Sequence, residues 1–193
     1  NHLKRFPTDV AAIRMLAEVA SRIGRYPDAE NLLTRCLELA PGFKAARHNY
    51  AVVLHRNNKP LESLAQIDQL LQVDPRSPSF RNLRAAVLAR IGEYDEAIRI
   101  YEQLLQEYTL QAKVWLSYGH ALKTAGRQDD SIAAYRKSIE LEPRLGEAFW
   151  SLANLKTFRF SEPDIAAMRA QLERTALTQE DRFHFHFSLG KAA

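Results

Sequence analysis

Prolines and glycines in this chain recur in step. Strides of 34 residues back from Pro143 reach Thr109, Pro75, Pro41 and Pro7, and the same stride back from Gly126 reaches Gly92, Asn58 and Gly24. A chain with one central core has no need of such ladders, whereas a stack of like units, each touching its neighbours, does. Each rung has a local cause. Glycine, or asparagine in its place, just past a helix end takes the left-handed conformation that closes the helix, and proline past a second helix cannot continue it. Between the ladders lie Ala29, Ser63, Ala97 and Ser131, small enough for two helices to approach closely. Four residues further on, Leu33, Ile67, Tyr101 and Tyr135 fill the seam. The pattern predicts an all-α chain of about eleven helices, neighbours antiparallel, with no sheet.

The fourth unit carries the fullest version of the pattern: Trp115-x2-Tyr118-Gly119-x2-Leu122, then Gly126, Tyr135 and Pro143. It resembles the tetratricopeptide repeat, a helix, a turn and a second helix with aromatic, small and proline residues at set places. That resemblance implies a tetratricopeptide repeat solenoid, a right-handed superhelix of antiparallel helix pairs. On this register residues 1–9 read as the end of a preceding, truncated repeat. Five repeats follow at 10–43, 44–77, 78–111, 112–145 and 146–179, the last irregular, and 180–193 read as the first helix of a truncated sixth.

Within the register the units differ. The second is the most degenerate, with Arg47 where an aromatic is usual, although Tyr50, Leu54, Leu64, Ile67 and Leu71 keep a core stripe and Pro60 suits a first helical turn. Ser77 and Pro78 read as an N-cap and first helical residue, and Thr109 in place of proline permits the preceding helix to run slightly longer. In the fifth unit Phe160 replaces the turn glycine, and the second helix is expected to start late, capped by Ser161-Glu162-Pro163-Asp164. Thr178-x-x-Asp181 caps a last helix, in which His186 takes the aromatic place. Exposed apolar surface is expected at this end.

The net charge of +4, spread over interspersed acids and bases, suits a solvated repeat surface better than a nucleic-acid binder. The single cysteine, Cys36, reads as a small packing residue, so no disulfide framework follows. No apolar run approaches membrane-spanning length and no signal region opens the chain, so no membrane role and a cytoplasmic location are expected. His184 and His186, two apart on a helix, point to nearly opposite sides, whereas a helical chelate wants a spacing of four. No metal, no cofactor and no catalytic set are expected in this segment.

The stretch from Glu147 to Lys191 resembles the junction of bacterial proteins that fuse a tetratricopeptide array to a sulfotransferase domain. The likeness rests on Trp150-Ser151-Leu152-Ala153-Asn154-Leu155-Lys156, Phe158-Arg159-Phe160 and Phe187-Ser188-Leu189-Gly190-Lys191. It implies a parent that transfers sulfate from 3'-phosphoadenosine 5'-phosphosulfate, of which this segment is a non-catalytic arm, since it has no phosphate-loop pattern.

Tetratricopeptide proteins commonly bind along helix-A side chains of the concave face. Here the register places on that face Arg14, Glu18, Arg22, His48, Val52, His55, Arg56, Asn82, Ala86, Arg90, Lys113, His120, Lys123, Trp150 and Asn154, many cations against one acid. The candidate peptide-binding residues are the members of this set other than Glu18, Val52 and Ala86. They suit a protein or peptide partner, acidic or phosphorylated, held by charge-assisted hydrogen bonds. Two known grooves fit poorly. The chaperone-tail clamp is matched loosely by Arg14 and Asn49 but not by Glu18, Ser79 or Leu83, and the asparagine ladder of O-GlcNAc transferases has only Asn49 among Met15, Leu83, Ser117 and Ser151. The expected function is a non-catalytic interaction scaffold. The alternatives are direct participation in sulfate transfer and a structural array that self-associates through its exposed ends.

Overall fold

A computed structural model describes residues 2–192, and every regular element among them is an α-helix, twelve in all. The chain divides into two compact units, Asn1–Glu93 and Tyr94–Ala193. The first holds α1 (His2–Arg5), α2 (Val10–Arg22), α3 (Tyr26–Leu39), α4 (Lys44–Arg56), α5 (Pro60–Val73) and α6 (Pro78–Ile91). The second holds α7 (Tyr94–Glu107), α8 (Ala112–Thr124), α9 (Gln128–Leu141), α10 (Gly146–Ala153), α11 (Glu162–Leu172) and α12 (Gln179–Ala192).

The turn ladder is realised in the backbone: Gly24, Asn58, Gly92 and Gly126 all have positive φ, 77°, 60°, 96° and 82°. Asn58 is the one residue with a side chain at that conformation among the described residues. Prolines sit in the first turns of α3, α5, α6 and α11, where no backbone N–H is missed. The small residues of the second helices are buried, and some bond across the pair: Ser63 Oγ donates to the Ala51 carbonyl at 2.8 Å and Ser138 Oγ to that of Ala112 at 2.9 Å. Cys36 is buried, its Sγ 3.3 Å from the Val10 carbonyl. Successive turns are tied as well. Glu30 on α3 accepts from Asn57 Nδ2 at 2.9 Å and Lys59 Nζ at 2.6 Å, locking the turn after α4 to the preceding pair.

Arg47 has a clear role in the aromatic position it occupies. Its Nη2 donates to the Pro41 carbonyl at 2.8 Å, as Trp115 Nε1 does to the Thr109 carbonyl at 2.8 Å, one repeat position for another. Each supplies an N–H to the loop carbonyl at the equivalent place of its own repeat. Thr109 does not lengthen the helix before it. α7 spans 14 residues, like α3, α5 and α9, and the expectation of a longer helix is corrected. Ser77 stands at the N-cap of α6, but its side chain makes no capping bond there.

The last helices depart furthest from the repeat pattern. α10 has 8 residues where α8 has 13, and its backbone lies beside α9 and α12. Ser161 and Asp164 form the anticipated capping box, and the Thr178 hydroxyl accepts from Asp181 N at 3.1 Å. In α12 it is Phe185, not His186, that enters the core: Phe185 is fully buried against Phe149 and Met168, whereas His186 is exposed. The exposed apolar surface also lies elsewhere than expected. In α12 Phe183 alone is a large exposed hydrophobe, while Met15, Leu16 and Val19 of α2, with Phe6 and Ile23 beside it, are all exposed.

α11 is fastened by charge. Arg136 on α9 bonds both carboxylate oxygens of Asp164, Nη2 to Oδ2 at 2.9 Å, and stacks over the Phe158 ring at 5.1 Å. The bond from Arg136, with those from the Ser161 backbone and hydroxyl, holds the Asp164 carboxyl down at about 2 against an ordinary 3.8. A carboxyl lowered on folding stabilises the chain above its unfolded value and loses that contribution as pH falls through its folded value. We predict that Asp164→Asn costs about 1–2 kcal/mol at neutral pH, given partial solvent screening of the pair. The difference between wild type and variant should shrink as pH is lowered from about 5 towards 2. Chemical denaturation over that range checks it; a difference that does not change with pH would rule out the pair as its source.

Candidate peptide-binding groove

In the first unit the helix-A elements pack in sequence, α2 on α4 and α4 on α6. Because the helices share one register, residues 34 apart take equivalent places. Arg22, Arg56 and Arg90 occupy one such place, at the last turn of each helix, and all three are exposed. Arg14, His48 and Asn82 occupy another, two turns earlier, and are half-buried. A groove of about 300 Å³ opens along α2 and α4, its walls including Glu18, Arg22, His48, Asn49, Val52 and Arg56. Asn49, read from sequence as half of a poor clamp match, is thus part of the wall.

The cations of this unit are unequally compensated. Glu18 accepts from Arg22 at 2.8 Å and from Arg14 at 3.4 Å, so one acid is shared between two guanidinium groups. Arg90 Nη2 donates to the neutral Asn58 side chain at 3.1 Å, which leaves its charge in place. Arg56 forms no ion pair or hydrogen bond through its side chain among the described residues. His55 senses both neighbours: burial, then Arg90 and Arg56, push its pKa below the ordinary 6.5, so it is neutral at pH 7. His48 is lowered by burial, lies 3.2 Å from Ser79 Oγ and packs on the Phe80 ring. His55 Nδ1 and Asn82 Oδ1 are buried without a hydrogen-bond partner.

In the second unit the predicted residues meet a different chemistry. Lys113 and Lys123 are exposed on α8, and His120 lies 2.9 Å from Ser151 Oγ, its pKa lowered by burial and by Lys123. A cleft of about 400 Å³ lies between α8, α10 and α12, with Lys113 and His120 facing Glu147, Glu180 and Asp181. Burial, with Glu180 and Asp181 adding to it, raises the Glu147 pKa against the opposing pull of His184 and Lys113. These carboxylates were missed in the sequence reading, although the register carried a signal: Glu147 stands one repeat on from Lys113. Trp150 is half-buried, its ring packing on His184 and Phe187 of α12, centroids 5.6 and 6.3 Å away. Asn154 ends α10, its Nδ2 donating to the Trp150 carbonyl at 2.8 Å.

Residues 23–87 and 87–145 each match a profile of the tetratricopeptide repeat, and the two together cover most of the chain. The chain belongs to the tetratricopeptide repeat family. Among curated proteins it is 33% identical over 73 residues to small glutamine-rich tetratricopeptide repeat-containing protein 2 of Mycosarcoma maydis, covering 38% of this chain and 21% of that protein. It is 23% identical over 126 residues to the TPR repeat-containing protein YpiA of Bacillus subtilis, covering 65% of this chain and 30% of that one. The chain thus spans under a third of the length of these relatives. Among solved structures it is similar to TTC0263, a thermophilic TPR protein of Thermus thermophilus, with a TM-score of 0.72, 19% identity and coverage of 93% and 98% of the two chains. MamA of Desulfovibrio magneticus gives 0.64 at 15% identity, covering 94% of each chain. YrrB, described as a TPR protein with an unusual peptide-binding site, gives 0.58 at 14%, covering 99% of this chain and 88% of its own. These likenesses show the fold. As a tetratricopeptide repeat protein the chain is a scaffold for protein interaction, and among its described residues no helix is long and apolar enough to cross a membrane.

Proposed function

We propose that this tetratricopeptide chain is a non-catalytic module that holds an extended acidic segment of a partner protein in the groove of its first unit. The observation that carries the reading is the exposed series Arg22, Arg56 and Arg90, set one repeat apart, of which Arg22 and Arg56 line a groove whose one carboxylate, Glu18, is already shared. Guanidinium groups pair with carboxylates in bidentate fashion, and the half-buried His48 and Val52 supply an apolar floor. YrrB, similar in fold, carries a peptide site, which supports a peptide as the ligand class. The likeness of Glu147 to Lys191 to a sulfotransferase junction supports the module as the arm of a sulfotransferase-like parent, working in the cytoplasm.

Three measurements test the parts. The double variant Arg56→Glu and Arg90→Glu is expected to weaken binding of an acidic peptide at least tenfold, with unchanged helical content, and wild-type affinity should fall with added salt. Binding indifferent to both the substitutions and the salt would overturn the groove. Titration calorimetry with 3'-phosphoadenosine 5'-phosphosulfate on this chain should show no saturable binding at physiological salt, because no glycine-rich turn aims several backbone donors at one phosphate. Micromolar binding would place part of a donor site in the repeats. Self-association is a second reading, favoured by the apolar cleft of about 830 Å³ on α2, where Met15, Leu16 and Val19 are exposed. Light scattering of wild type against Leu16→Glu decides it: an unchanged mass would remove α2 as the contact.

A further inference from the structure

Resting on the groove just described, the geometry points to a ligand of defined spacing. We infer that the first unit reads an extended segment with a carboxylate at every third residue, one for each of Arg22, Arg56 and Arg90. The argument begins with the pitch. α2, α4 and α6 pack side by side in that order, and packed helix axes lie about 8–10 Å apart. The three arginines hold the same helical place on these helices, so their Cα atoms repeat at about that pitch. An extended chain of the polyproline type advances about 3.1 Å per residue with three residues per turn, so every third side chain returns to the same face after about 9 Å. The two repeats match. A β-strand serves less well, because successive side chains alternate and a spacing of three turns neighbouring carboxylates to opposite faces. A helical ligand advances only about 4.5 Å over three residues.

The three rungs are unequal in a way that orders their use. Arg56 is unpaired among the described residues, and Arg90 is bound only to the neutral amide of Asn58, so both present a full charge. Both charges also lower the pKa of His55, after burial. Arg22 is held by Glu18 at 2.8 Å, and a ligand carboxylate there competes with an internal partner. The central and third rungs therefore anchor the ligand, and the first adds least. Carboxylates suit these rungs because each guanidinium offers a planar pair of donors.

The test uses this chain and two synthetic proline-rich nonapeptides of one composition. One carries glutamate at every third position; its isomer carries the three glutamates contiguously. Fluorescence anisotropy of the labelled peptides should show the spaced peptide binding about tenfold tighter at physiological salt. Arg56→Gln or Arg90→Gln should bring it down to the level of the isomer, Arg22→Gln should cost less, and circular dichroism should confirm that each variant keeps its helices. Equal binding of the two isomers to wild-type protein would overturn the spacing rule while leaving an acidic-peptide groove intact. Failure of both peptides to bind would overturn the groove itself. A spaced advantage that survives both Arg56→Gln and Arg90→Gln would show that the spacing is read elsewhere.

Discussion

Replacing Gly119 by alanine is expected to lower the stability of the second unit by about 2–3 kcal/mol, the upper part of the range for overpacking a filled core. Gly119 lies in α8 with the ring of Tyr135 directly on its Cα, and a Cβ built there falls 2.5 Å from Cε1 and 2.7 Å from Cδ1 of that ring. Tyr135 is fully buried and also packs edge-on to His120, so the ring has little room to retreat. The equivalent places in the first unit show the allowed alternative: Ala17 accompanies Leu33, and Ala51 accompanies Ile67, each pair fully buried in one cluster. Adding Tyr135→Leu to Gly119→Ala should therefore recover part of the loss, a non-additive result that distant sites do not give. Thermal denaturation of the two single variants and the double measures it, and strict additivity would show that the ring contact is not the cause.

Ala97→Arg is expected to cost about 2–4 kcal/mol, through overpacking and the burial of a charge. Ala97 is fully buried at the place on α7 where Ala29, Ser63 and Ser131 stand on α3, α5 and α9, and all four are fully buried. A guanidinium on that helix face must either stay in the core without a partner or force α7 to shift. At about 2–4 °C per kcal/mol for a chain of this size, the melting midpoint should fall by several degrees or more. An unchanged midpoint would contradict the register that equates these four positions.

The helix pairs and their closures were legible because their causes are local. A glycine or asparagine that takes positive φ, a proline in a first turn, or a serine and an aspartate three residues apart acts within one turn of chain, and spacing alone reveals it. Asn58 and the Ser161–Asp164 capping box were read correctly on those grounds. That Arg22, Arg56 and Arg90 hold one place on successive helices also follows from the 34-residue spacing, whereas their exposure came from the structure. Arg47 was not understood as a replacement for an aromatic, because its value lies in an N–H reaching the Pro41 carbonyl across a turn.

What the sequence by itself determined is therefore the period, the turns, the helical class and the small positions that allow close packing. The tertiary structure alone decided which side chains those helices leave open. It buried Phe185 and exposed His186, packed the Trp150 ring against α12, and set Glu147, Glu180 and Asp181 in one cleft with Lys113 and His120. The physical reason is that α10 is cut to 8 residues and its backbone lies beside α12, so the faces of both helices are settled by contacts such as Phe149 with Phe185, far apart in the chain. Periodicity carries the phase of a helix only while each unit repeats its predecessor. Where the chain departs from the repeat after Ala153, packing sets that phase.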